Sequence, residues 1–361
     1  MTSLALLAGA LACNGPTADT GFASGQPGPT STPADNSTGA SGTSSSGPGG
    51  STAGSEDSGA STEPLRDLGE SPDFGPDKPP GCKGKIDFLF LISRLGQMNS
   101  EQEQLLASFP GFIDAIETML PEFDTHIMVA NPDGNWPGWG CEKYLCEDNA
   151  PYCGPNGKAY VCGESSYGLI TDCDETLGAG LLFNAGPYAT NTPCTLAGGH
   201  RYIVTRDEPD PLAAFECIAR VGTYGPVPPT GDALIAALSP YLTVGECNKG
   251  FLRDDALLFI TFISDSEDEK SKTAPADWYN AIVKAKHGDP GAVVTLLVTP
   301  QYTPVEIPGC SYDFDHNNKL RELITMFPYH VEGDTCALSY APYFAAAATM
   351  ISEACASFVP Q

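Results

Sequence analysis

Two segments of this chain, Lys85–Ile92 (KIDFLFLI) and Asp255–Ser264 (DALLFITFIS), are apolar at nearly every position instead of at alternate ones. A strand with one face in water alternates with a period of two. An unbroken apolar run of this length therefore needs cover on both faces, which is the condition of a parallel sheet between helical layers. The intervening sequence supplies the helices. Glu101–Met119 carries Leu105, Leu106, Phe109, Phe112, Ile113 and Ile116 on one face, with Pro110 expected to kink or break it. Strand Thr125–Ala130 follows, then helices Pro211–Arg220 and Asp232–Leu238. After the second apolar run come helix Pro275–Lys286, strand Ala292–Val298 and helices Lys319–Met326 and Pro342–Phe358. This alternation predicts an α/β fold, a doubly wound, mostly parallel sheet with helices on both faces. No tandem repeat of fixed period interrupts it.

The folded part is expected to be residues 81–361. Asn14 to Pro80 is rich in Ser, Gly, Thr, Pro and Ala, with few large apolar residues. Such a segment buries too little surface to offset its chain entropy, so 14–80 reads as a disordered linker. As a flexible coil it spans roughly 45 Å on average and about 200 Å fully stretched. Residues 1–13 are apolar and uncharged and end Ala10-Leu11-Ala12-Cys13. They resemble a bacterial lipoprotein signal, which would leave Cys13 as a lipidated N-terminus in the cell envelope; an ordinary secretory signal is the alternative.

Thirteen cysteines become an even twelve once Cys13 is set aside. None forms the C-x-x-C pair that zinc and thioredoxin-like redox sites need, so disulfides in an oxidising compartment are expected. Six cysteines lie in the long insertion 131–199 after the second strand, and those from Cys141 to Cys194 are expected to pair among themselves. The net charge is −27, of which −20 belongs to residues 81–361. That balance repels nucleic acid and anionic lipid heads and suits solubility at a cell surface.

The run KIDFLFLISRLGQM, with CDETLGAG, FECIARVGTYG, GFLRDDALLFITFISDSED and GDTCALSYAPYF in this order, resembles a von Willebrand factor type A (vWA) domain. The likeness is to the secreted bacterial lipoprotein type with a cysteine-rich insertion. The resemblance implies a divalent-cation site at the carboxyl end of the sheet, built from a D-x-S-x-S loop, a threonine and an aspartate. Here the first loop reads Ser93-x-Leu95-x-Gln97. Asp265 keeps the third-loop carboxylate, and Thr223 or Thr230 would supply the threonine. Leu95 offers no oxygen, and one carboxylate is little charge for a hard dication, so the site is expected to be lost or to hold Mg²⁺ or Ca²⁺ weakly. Arg94 would point away from side chains 93, 95 and 97. The resemblance also implies a Cys82–Cys355 disulfide joining the two ends of the domain.

Two acidic runs stand apart from that site. Asp265–Glu269 (DSEDE) suits a calcium ion or a cap on the following helix, and for this run as for the next a solvated turn is the competing reading. Asp313-x-Asp315-x-Asn317 resembles half of a calcium loop but has Asn318 and Ile324 where glycine and glutamate belong. Enzyme signatures such as G-x-S-x-G, H-E-x-x-H, a Walker loop or G-x-G-x-x-G are absent. The expected function is an exported, lipid-anchored, non-enzymatic binding module for a protein or glycan partner. The competing readings are a cation-dependent adhesion domain using Asp265, a structural envelope lipoprotein, and a hydrolase within the insertion.

Overall fold

The structure is a computed structural model, and it describes residues 84–96, 98–119, 123–136, 168–245, 247–301 and 317–359. The signal ending at Cys13, the linker 14–80, Cys82, Gln97, most of the insertion, Asp313 and Asp315 lie outside the described residues.

In chain order the elements begin with β1 (Lys85–Ile92), α1 (Asn99–Met119), β2 (Asp124–Ala130) and β3 (Ile203–Val204). The middle holds α2 (Pro211–Ala219), α3 (Thr230–Leu238), β4 (Leu257–Ile263) and α4 (Pro275–Ala285). The chain closes with β5 (Val293–Thr299), α5 (Asn318–Thr325), β6 (Tyr329–Asp334) and α6 (Ala341–Ser357). One six-stranded sheet runs β3-β2-β1-β4-β5-β6. Every neighbouring pair is parallel except β2–β3, where Ile127 faces Ile203.

The apolar runs are the central strands, β1 and β4, and every residue of β4 and β5 is buried. Because side chains alternate along a strand, consecutive residues of β1 feed two cores. Phe88 and Phe90 pack with Phe109, Phe112, Phe215, Phe259 and Phe344 on the side of α1, α2 and α6. Leu89 and Leu91 pack with Leu258, Ile260, Phe262 and Trp278 on the side of α3, α4 and α5. The first core is strongly aromatic, with Phe109 stacked on Phe215 at 3.5 Å and Phe88 edge-on to Phe112 at 5.6 Å. Each such ring contributes about 1.5–3 kcal/mol by burial. In the second core α3 packs closely on α4. A Cβ on Gly231 would lie 1.9 Å from the Trp278 ring, so only glycine fits.

Three expectations need correction. Helix α1 runs through Pro110 without ending there; the proline is on the exposed face, where water can hydrate the carbonyl that loses its donor. The strands Ile203–Val204 and Tyr329–Asp334 did not stand out in the sequence, the first being very short and the second an edge strand with half-exposed residues. Cys173 and Cys194, the insertion cysteines among the described residues, do not pair within the insertion as expected: Cys173 bonds Cys247 and Cys194 bonds Cys217. The insertion is thereby stapled to the body of the domain. Its returning segment lies along β2, with Leu181 N–H donating to Val129 O and Asn131 N–H to Ala179 O. Cys336 and Cys355 are disulfide-bonded as well, and the expected partner Cys82 is outside the described residues. These bridges are consistent with an extracytoplasmic location.

Candidate functional site

In an open α/β sheet, ligands gather where the loops after the strands meet. Here the first loop leaves β1 at Ser93, whose N–H donates to Ile263 O (2.8 Å) and holds it beside the end of β4. The Ser93 hydroxyl is buried and accepts from Leu95 N–H at 3.3 Å. Leu95 packs against the aromatic core. The second loop, residues 221–225, closes on the first: Gly225 N–H donates to Arg94 O (2.6 Å), and a Cβ on Gly96 would lie 3.7 Å from the Tyr224 ring. Thr223 is buried, and both its N–H (2.9 Å) and its hydroxyl (3.5 Å) are directed at Pro187 O. Thr230 is the buried first residue of α3. Asp265 sits two residues beyond β4, half-buried. The Tyr340 hydroxyl is raised above its usual pKa, chiefly by burial and then by neighbouring charges that include Glu101 and Asp265. It donates to Thr335 O at 3.0 Å. Burial also raises the carboxyl of Glu101.

Beneath these loops lies an ion pair that the sequence did not announce. Arg94 is 0% exposed. Its guanidinium reaches Asp133, in the loop after β2, at 3.3 Å, and donates to the carbonyls of Asn135 (2.9 Å) and Trp136 (3.4 Å). Asp133 also accepts from Asn135 N–H at 2.9 Å. Gly225 closes over the pair; a Cβ there would be 2.8 Å from Arg94 Cβ and 3.0 Å from Asp133 Oδ2. Nothing in the spacing of Arg94 and Asp133 foretold their meeting.

Two tyrosines flank this region on adjacent backbones. Ala189 bridges Val221 in antiparallel fashion, so Tyr188 and Tyr224 leave neighbouring segments. Both have left-handed backbones, with φ of 61° and 64°, a conformation costly for bulky residues. Both are well exposed, at 46% and 44%. The only sequence hint is the glycine near each, in GPY and GTYG.

In the run Asp265–Glu269, two carboxylates are engaged in capping. Asp268 is buried and accepts from Gly231 N–H (2.8 Å), Ser271 N–H (2.8 Å) and the Ser271 hydroxyl (2.6 Å), which ties it to the start of α3. Glu267 accepts from Asn318 and Lys319 N–H at the start of α5. The helices capped are thus α3 and α5 and not α4, the next in sequence. Asn317 precedes α5 with a left-handed backbone (φ 47°). Among the described residues no three His, Cys, Asp or Glu side chains gather in a metal-binding group.

The amino end of the sheet holds a second buried charge network. Arg253 donates to Asp87 from its side chain (2.7 Å) and backbone (2.8 Å), and to the carbonyls of Ile86 and Asp124. Lys286, buried, donates to Arg253 O at 2.8 Å. Burial pushes the Asp87 carboxyl up to about 6 against the opposing pull of Arg253. Burial, aided by Arg253, pulls His126 down to about 4. His126 Nδ1 lies 3.7 Å from Asp87 and 3.0 Å from Phe251 O. This network lies at the start of β1, at the opposite end of the sheet from the loop cluster.

No family model and no curated protein matches the chain. Among solved structures it is similar to proximal thread matrix protein 1 of the mussel byssus, at 9% identity and a TM-score of 0.31. That match covers 75% of this chain, which spans 46% of the length of the mussel protein. The architecture observed, a mostly parallel six-stranded sheet between helical layers, is compatible with a vWA-like or Rossmann-like fold.

Proposed function

We propose that this chain is an exported, lipid-anchored, non-enzymatic binding module of vWA type, which takes a protein partner on the loops at the carboxyl end of its sheet. The observation that carries the reading is the pair Tyr188 and Tyr224. Two bulky residues are held at left-handed φ and yet each leaves nearly half of its surface exposed. Strain of this kind persists where the surroundings over-determine it, and exposed tyrosines supply large contact area at low entropic cost. The partner's surface is basic, since the chain carries −27. A metal has little part in this reading. Leu95 is turned to the core, Thr223 to Pro187, and Asp265 is the carboxylate left at the matching positions, which does not fit a hard dication.

The test is cross-linking on intact cells with the wild-type chain and a Tyr188→Ala/Tyr224→Ala double variant. A protein captured by the first and lost by the second supports the module. Equal capture by both moves the site elsewhere, and capture of a glycan alone changes the partner class. The second reading, a cation-dependent adhesion domain, rests on Asp265 beside the end of β1, and requires that capture depend on Mg²⁺ or Ca²⁺. No specific capture would leave a structural envelope component.

A further inference from the structure

We infer that the cavity at the β3 edge of the sheet, lined by Arg201, Tyr202 and Lys249, is a binding site for a small amphipathic carboxylate. It is independent of the tyrosine face. Its volume is about 660 Å³, within the range that holds small organic ligands, roughly 300–1,000 Å³.

The lining divides by chemistry. Basic side chains come from Lys249, Arg201 and His200, and none of the described lining residues is a carboxylate. In a chain with 45 acids against 18 lysines and arginines, that local composition is selective. Asp174 pairs with Arg201 from a buried position. The guanidinium is further fixed by donation to Gly180 O (2.7 Å) and the Thr171 hydroxyl (3.2 Å). Lys249 is exposed, and among the described residues it takes part in no ion pair, whereas Arg201 is held by Asp174. Among the described residues it is thus the charge of the site left to meet a ligand. The remaining wall is apolar: Leu182, the Cys173–Cys247 disulfide and two glycines. Tyr202 is braced by His200 stacked at 4.9 Å and by Phe251 at 5.7 Å. An acid group against Lys249 with an uncharged body against the disulfide wall satisfies both halves.

The cavity is also built before any ligand arrives. Cys173–Cys247 joins two of its walls covalently. Between them Asn248, wholly buried, accepts from Gly180 N–H (2.8 Å) and donates to the carbonyls of Gly178 (2.9 Å) and Ala237 (3.2 Å). Little ordering remains to oppose binding.

The experiment is a calorimetric titration of the full chain with phenylacetate, its neutral amide phenylacetamide, and sulfate. The expected result is saturable phenylacetate binding that Lys249→Ala weakens roughly tenfold or more, as loss of a charge-assisted contact does. Lys270→Ala, on another exposed loop, leaves it unchanged, and phenylacetamide and sulfate bind far more weakly. Absence of saturable phenylacetate binding overturns the site. So does equal binding of sulfate, which would mean undirected anion attraction, or a Lys249→Ala variant that binds as tightly as the wild type. Lys249 is exposed, so its replacement leaves the fold intact.

Discussion

Arg94 and Asp133 meet at 3.3 Å with both side chains wholly withdrawn from solvent, at the end of the sheet where the resemblance to vWA domains had implied a cation site. The pair joins the loop after β1 to the loop after β2, and Gly225 of the second metal-type loop closes over it. A buried guanidinium thus cross-links these loops through side-chain and carbonyl bonds. Removing one partner of a buried pair leaves the other charge uncompensated, at a cost of about 3–5 kcal/mol. Arg94→Ala and Asp133→Ala should each lose that much stability in urea unfolding. Arg94→Met combined with Asp133→Ala should lose clearly less than the sum. Single losses below about 1 kcal/mol would show that the pair does not hold the loops.

Millimolar Mg²⁺ or Ca²⁺ should leave the melting temperature unchanged, because an ion that binds only the folded chain must raise it. The measurement is a thermal melt with and without each ion. A clear rise that vanishes in Asp265→Ala would restore the cation-dependent reading. The repair variant Ser93→Asp, Leu95→Ser, Gln97→Ser returns a carboxylate and two hydroxyls to the first loop. It should gain a metal response only if a threonine can complete the site. Thr223 is committed to Pro187 O, so a repaired chain that folds and still ignores metal would point to that residue.

The sheet was readable because its signal is local. Apolar strands such as Phe88–Ile92 and Leu257–Ile263 declare two-sided burial without knowledge of their neighbours. The two edge strands were not, since Ile203–Val204 is too short to show a period and Tyr329–Asp334 is held by β5 more than by its own composition. The positions matching the metal site could be found by motif. The pairings that distinguish this chain could not, because Arg94 and Asp133 are 39 residues apart and Cys173 and Cys247 are 74 apart. Such contacts exist only once the topology brings the loops together. The strain at Tyr188 and Tyr224 is likewise invisible in residue type.

Asp268 gives a test of capping against calcium. Its carboxylate accepts three hydrogen bonds at the start of α3 while buried. Asp268→Ala leaves the Gly231 and Ser271 donors unsatisfied, and should cost about 1–3 kcal/mol by chemical denaturation. Calcium should stabilise neither the wild type nor the variant. Stabilisation by calcium in the wild type alone would assign the DSEDE run to the ion.

The paired groups at the amino end of the sheet predict a pH signature with opposite signs in two variants. The Asp87 carboxyl is raised from 3.8 to about 6 in the folded chain. Between about pH 4 and 6 the folded state therefore holds a proton that the unfolded state has released, and this group makes stability fall as pH rises. His126 is lowered from 6.5 to about 4. From about pH 4 to 6.5 the unfolded state holds the proton instead, and this group makes stability rise with pH. In the wild type the two trends oppose each other across nearly the same window. Relative to wild type, His126→Gln should lose stability progressively as pH goes from 4 to 6.5. Asp87→Asn, though less stable throughout because Arg253 loses its carboxylate, should close part of that gap between pH 4 and 6. Urea unfolding at a series of pH values reads both slopes. Parallel curves for the three proteins would show that neither group changes its proton affinity on folding, and that the network is held by Arg253 alone.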